Sequence, residues 1–202
     1  MEKERKNKKI ILIILLVAVI GLTIGFAAFT TQLKIQSSAK VSPDPTNFKV
    51  VFSSSSTASV DGSPVYGGKA EGGTFGKDAT TISGLSAKFT APGQTATWKF
   101  YAFNAGEYEA FLNKVMLGAI SCIPDGADAT KVAEAEKGIS IKISVGGKEF
   151  VSTNETINSH NLEKKAGEEV LVTLTYAEGS AAVDGNFDVS IGDITLEYNS
   201  AD

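Results

Sequence analysis

From about residue 30 to its C-terminus the chain alternates apolar and polar residues with period two. In Gly138–Val145, Ile139, Ile141, Ile143 and Val145 share one face, and Ser140, Lys142 and Ser144 share the other. That pattern predicts a half-buried antiparallel strand, because a one-residue slip would turn every isoleucine to water. Gly146-Gly147 then supplies a turn, and Phe150-Val151 can return as the partner strand. Val170, Val172, Leu174 and Tyr176 repeat the alternation, as do Phe48, Val50 and Phe52. Trp98, Phe100 and Ala102 form one face of a further strand, with Thr97, Lys99 and Tyr101 opposite. This reading makes Trp98 a core residue. Phe187, Val189 and Ile191 alternate up to Gly192-Asp193; Ile194, Leu196 and Tyr198 resume out of phase, as a bulge or tight bend requires. One stretch departs from the period. Asp128–Gly138 is rich in helix formers and ends in a glycine suited to a C-cap.

Many short strands joined by glycine-rich turns pack most readily as two antiparallel sheets. The expected fold is therefore all-β, a sandwich of jelly-roll or immunoglobulin-like type. Ser53–Gly84 opens on a serine run and holds seven glycines, which predicts long loops or irregular hairpin edges. Ser42-Pro43-Asp44-Pro45 reads as a stiff, extended joint.

The N-terminus follows another rule. Residues 10–28, IILIILLVAVIGLTIGFAA, carry no charge, and Thr23 is their only polar residue. As a helix these residues would extend about 28 Å, close to the ~30 Å of a bilayer's hydrocarbon. They are apolar on every face and so do not suit an amphipathic surface helix. The segment is either a membrane anchor or a long signal peptide, and both readings put the rest of the chain outside the cell. Small residues at Gly25, Ala27 and Ala28 suit cleavage beside Ala27, Ala28 and Phe29. The organisation expected is a basic head and apolar segment over 1–28, an N-terminal strand and Pro-rich joint over 29–47, and a β domain over 48–202.

Charge sharpens this picture. The first nine residues hold five basic and two acidic side chains, leaving +3 there and −7 on the remainder of a chain whose total is −4. Basic residues flanking an apolar segment favour the cytoplasmic side. An acidic main domain does not suit nucleic acid, which selects basic surfaces. The partners expected are the membrane, through the N-terminal segment, and other surface subunits, including copies of this chain.

Candidate chemistry is sparse. Cys122 is the single cysteine and His160 the single histidine. One thiol makes no internal disulfide, and the neighbours of Cys122 include no base to activate it. No His-Glu-x-x-His helix and no Gly-x-Ser-x-Gly elbow occurs. His160 lies in a polar Asn-Ser-His-Asn stretch that reads as a loop. Asp125 and Asp128 stand at a spacing unlike an EF-hand, and turn formation accounts for them more simply. The expectation is a protein with no catalytic residues, no cofactor and no metal.

Two patches resemble the TasA/camelysin-like surface proteins of Gram-positive bacteria. The first is residues 91–112, with turns at Pro92-Gly93 and Asn104-Ala105-Gly106 and a second strand starting near Ala110. The second is Phe26-Ala27-Ala28-Phe29, similar to the end of that family's signal segment. The resemblance implies a jelly-roll subunit of extracellular matrix fibres, cleaved beside Ala27 or Ala28. It also implies a freed N-terminal strand that completes the sheet of the next subunit. Here that strand would be residues 29–41, from Phe29 through Leu33 and Ile35 to Val41. Leu33 and Ile35 alternate with Gln32 and Lys34, which suits insertion by backbone pairing. The same pattern suits pairing within the chain's own domain. A tethered domain that binds a ligand through the Ser53–Gly84 loop or a sheet face is the competing reading; it expects exposure of Tyr66, Phe75, Tyr101 or Tyr108.

Overall fold

A computed structural model of the chain describes residues 30–35, 48–58, 64–77, 79–151 and 155–200. The apolar segment 10–28, the cleavage region Ala27, Ala28 and Phe29, Val41 and the joint 42–45 lie outside the described residues. Among the described residues no helix is long and apolar enough to cross a membrane.

The fold is all-β. Sixteen strands are described, with one helix, α1 (Ala129–Glu136). They hydrogen-bond as three sheets, where the sequence suggested two. One sheet takes β12 (Lys148–Phe150), β11 (Ile139–Val145), β14 (Gly167–Tyr176), β8 (Thr95–Asn104) and β2 (Val50–Ser53) in that order, with β3 (Val65–Gly68) also on β8. A second takes β10 (Ile120–Asp125), β15 (Asn186–Ile191), β7 (Ser86–Phe89) and β4 (Ala70–Glu71). The third runs β13 (Glu155–Leu162), β9 (Ala110–Met116), β16 (Ile194–Ser200), β1 (Thr30–Ile35), β6 (Thr81–Ser83) and β5 (Thr74–Phe75).

Alternation builds the core. In β8 the inner row is Ala96, Trp98, Phe100 and Ala102; in β14 it is Val170, Val172, Leu174 and Tyr176. All are buried. The two strands pair antiparallel, with Val172 opposite Trp98 and Val170 opposite Phe100. One continuous apolar cluster then joins all three sheets. Aromatic contacts fill it: Phe52 and Phe100 meet edge to face at 5.2 Å, as do Tyr176 and Phe187 at 5.5 Å. Each large side chain so buried contributes about 1.5–3 kcal/mol. Strand β2 departs from the simple alternation, since all four of its residues are buried. Its outward Val51 packs in a second small cluster with Ala79 and Phe103.

The turns behave as their residues dictate. Gly146 and Gly147 both have positive φ, 56° and 84°, as a two-residue primed hairpin turn between β11 and β12 demands. Gly192-Asp193 separates β15 from β16 and moves the chain from one sheet to another, which explains the shift in phase. There Gly192 lies against Gly118, where a Cβ on Gly118 would stand 2.3 Å from the Gly192 carbonyl carbon. Helix α1 begins where Asp128 caps it, accepting from the backbone N–H of Thr130 and Lys131. It buries Val132 and Ala135 beside β10.

The structure corrects one local reading. His160 is not in a loop: it lies in β13, opposite Leu112 of β9. The stretch Asn158–Asn161 is polar yet sits in a strand, because backbone pairing to β9 outweighs its weak β propensity.

Candidate functional site: the place of the N-terminal strand

Strand β1 is not an appendage of its sheet. It lies between β16 and β6 in the six-stranded sheet, so neighbours flank it on both sides. Its pairing with β6 is parallel, with Lys34 opposite Thr81 and Ile35 opposite Ile82. Every other strand pair resolved in register is antiparallel. A parallel neighbour cannot be reached by a tight hairpin and needs a long connection. Residues 36–80 supply it. Leu33 and Ile35 thus belong to an interior strand of the sheet. Ile82, Ile194, Leu196 and Tyr198 on the flanking strands are buried.

The slot's far wall is tied to the opposite sheet. The Tyr198 hydroxyl, on β16, donates to Glu168 Oε1 on β14 at 2.6 Å. Glu168 is one of few charged residues facing the core. Burial first, and then the Glu168 charge, push the Tyr198 hydroxyl well above its usual range.

The two turns of the family-like patch have separate roles. Gly93 takes φ of 84° and donates its N–H to the Tyr176 carbonyl. Gln94 stabilises the same turn, its Oε1 accepting from the N–H groups of Thr90 and Ala91. Asn104 is buried and serves as a junction. Its amide Nδ2 donates to the carbonyls of Tyr108 at 2.8 Å and Leu162 at 3.2 Å, and its Oδ1 accepts from Gly106 N–H. Neither Pro92-Gly93 nor Asn104-Gly106 lies on β1 or its two neighbouring strands; they shape the sandwich rather than the slot.

The reactive candidates sit apart. Cys122 is partly buried on β10, packed against the core. Burial, with a smaller contribution from Glu136, pushes its thiol up to about 12, the wrong direction for a nucleophile at neutral pH. Asp125 pairs with Lys88, and Asp128 is spent on the helix cap. Among the described residues no three His, Cys, Asp or Glu side chains converge as a metal site would. Of the four aromatic residues that a binding surface would expose, Tyr66 and Tyr108 are 47 % and 46 % exposed, whereas Phe75 and Tyr101 are half-buried.

No protein-family model matches the chain, and no curated protein or solved structure matches it.

Proposed function

We propose that this chain is a non-enzymatic structural protein of the cell surface or extracellular matrix. In this reading residues 1–28 insert in or pass through the membrane, and the β domain lies outside the cell. Copies of the domain assemble as the N-terminal strand of one completes the sheet of the next. In this reading the sheets make up a sandwich of jelly-roll type, as the resemblance to TasA/camelysin-like proteins implies.

The observation this reading starts from is that β1, which pairs within the chain's own sheet in the single molecule, sits between β16 and β6 rather than at an edge. A strand with hydrogen-bonding neighbours on both sides contributes heavily to its sheet, yet this one hangs on a connection of 12 residues, 36–47, near the chain's beginning. Its slot accepts the same strand equally from a second copy, by the logic of strand addition and domain exchange.

The experiment is to recover the protein from its native surface, sequence its N-terminus and view it by electron microscopy. A start at Ala28 or Phe29 together with fibres supports the reading. An intact Met1 start with single, unassembled domains overturns it.

A further inference from the structure

The outer face of the sheet built around β14 and β8 carries an ordered set of hydroxyls. Thr95 and Thr97 on β8 lie directly opposite Thr175 and Thr173 on β14. On the next strand Ser140 lies opposite Thr175. Strand spacing sets these hydroxyl-bearing residues on a grid of about 4.8 Å across the sheet and roughly 6.7 Å along it. All are at least partly exposed, while their sequence neighbours Ala96 and Leu174 are buried.

Gly67 holds this face open. It pairs with Thr97 across β3 and β8, and its φ lies outside the left-handed region. Its backbone therefore imposes no need for glycine. The need is spatial: a Cβ there would stand 2.3 Å from Thr97 Oγ1. Any side chain at this position would push into the threonine hydroxyl.

The charges on the same face are matched. Lys99 pairs with Glu169 and Lys142 with Glu149, so two cations meet two carboxylates and no net charge results. Beside them the Tyr101 ring is half-buried, with Lys99 Nζ 6.0 Å from its centroid.

From these observations we infer that this face is a binding surface for an uncharged polysaccharide. A glycan presents hydroxyls at close, regular intervals, and each threonine hydroxyl can both donate and accept. Threonine methyls and the Tyr101 ring offer apolar ground for the C–H faces of sugar rings. An anionic polymer would instead need unpaired cations, and both lysines here are neutralised by carboxylates. The inference does not depend on how copies of the chain assemble, since β1 belongs to a different sheet.

The test uses the full chain in detergent micelles, passed over cellulose and chitin as neutral probes and dextran sulfate as an anionic one. Three proteins are compared: wild type, the double variant Thr97→Val/Thr173→Val, and Gly67→Val. Valine keeps the branched shape and removes only the hydroxyls; Gly67→Val deletes no hydroxyl but crowds and displaces that of Thr97. Fluorescence of Trp98, the only tryptophan, verifies the core in each. Retention of wild type on a neutral probe, with at least a tenfold loss in both variants at unchanged fluorescence, is the expected result. Passage of wild type through both neutral probes, stronger retention on dextran sulfate, or double-variant binding within twofold of wild type would each overturn the inference.

Discussion

Asn104 illustrates how one polar residue organises a fold at long range. Its side chain joins the β8–β9 turn to the end of β13, 58 positions along the chain. Its backbone meets the β13–β14 connection as well, donating to the Ala166 carbonyl and accepting from Lys165 N–H. Asn104→Ala strips the side-chain bonds inside a buried site, where each lost partner costs about 1–3 kcal/mol. The variant should unfold in urea with stability lower by about 2–4 kcal/mol, scaled from those same losses. A change within 0.5 kcal/mol would show that water replaces the amide and that the junction is dispensable. The Asn-x-Gly spacing marked this position as a turn in the sequence. Its burial and its reach to Leu162 were not legible there, because the partner belongs to a distant segment. Trp98 was legible, since its alternation with Phe100 already placed it inside. Its indole N–H donating to the Glu71 carbonyl, which links β8 to β4, was not.

At the scale of elements, strands with clean alternation were readable in advance: β8, β14, β15 and β16 bury the predicted rows, and β11 buries its row except Ile141, which is half-buried. The short strands β3 to β6 within the glycine-rich stretch were not. Each has two to four residues, too few for a period to register. They exist because longer neighbours template them, as β8 does for β3 and β7 does for β4. The division into sheets was also hidden, since it is decided where Gly192-Asp193 redirects the chain. β1 was readable as a strand, but not as a central one with a parallel neighbour. Its position gives a sharp expectation. Proline lacks the N–H that a strand with neighbours on both sides uses, so Leu33→Pro should disrupt the β16–β1–β6 arrangement. Hydrogen exchange in β16 and β6 should quicken at least tenfold, while β11 and β12 in the other sheet keep their protection. Unchanged exchange in β16 would mean that β1 contributes nothing to its sheet. The helix offers a milder check. Asp128→Ala removes the cap on Thr130 and Lys131 and should cost about 1 kcal/mol by chemical denaturation.

For the molecule as a whole, the one thiol and the two core tyrosines with displaced acidities point in one direction. Burial raises the Cys122 thiol from 9.0 to about 12, and it raises the hydroxyls of Tyr176 and Tyr198 above 10.0. Tyr176 also donates its hydroxyl to the Ala181 carbonyl, and Tyr198 donates to Glu168, so neither can ionise without giving up its bond. In each case the folded state holds its proton more tightly than the unfolded chain. Stability therefore stays complete below about pH 9, where the thiol of the unfolded chain begins to ionise, and falls as pH rises from there. The exposed ion pairs, such as Lys131 with Asp184, are screened by solvent and shift this curve little. Melting temperature should hold a plateau through neutral pH and drop steadily from pH 9 to 12. Two substitutions separate the contributions. Cys122→Ala should delay the onset of the drop, because it removes the group that ionises first in the unfolded chain. Tyr198→Phe should flatten the steeper part above pH 10, while lowering the unfolding free energy at neutral pH by about 1.5–3 kcal/mol for the lost hydrogen bond to a carboxylate. A wild-type curve that is level from pH 7 to 12 would show that these three groups are as accessible to water in the fold as in the open chain, and with that the tie between β16 and β14 beside the β1 slot would lose its physical basis.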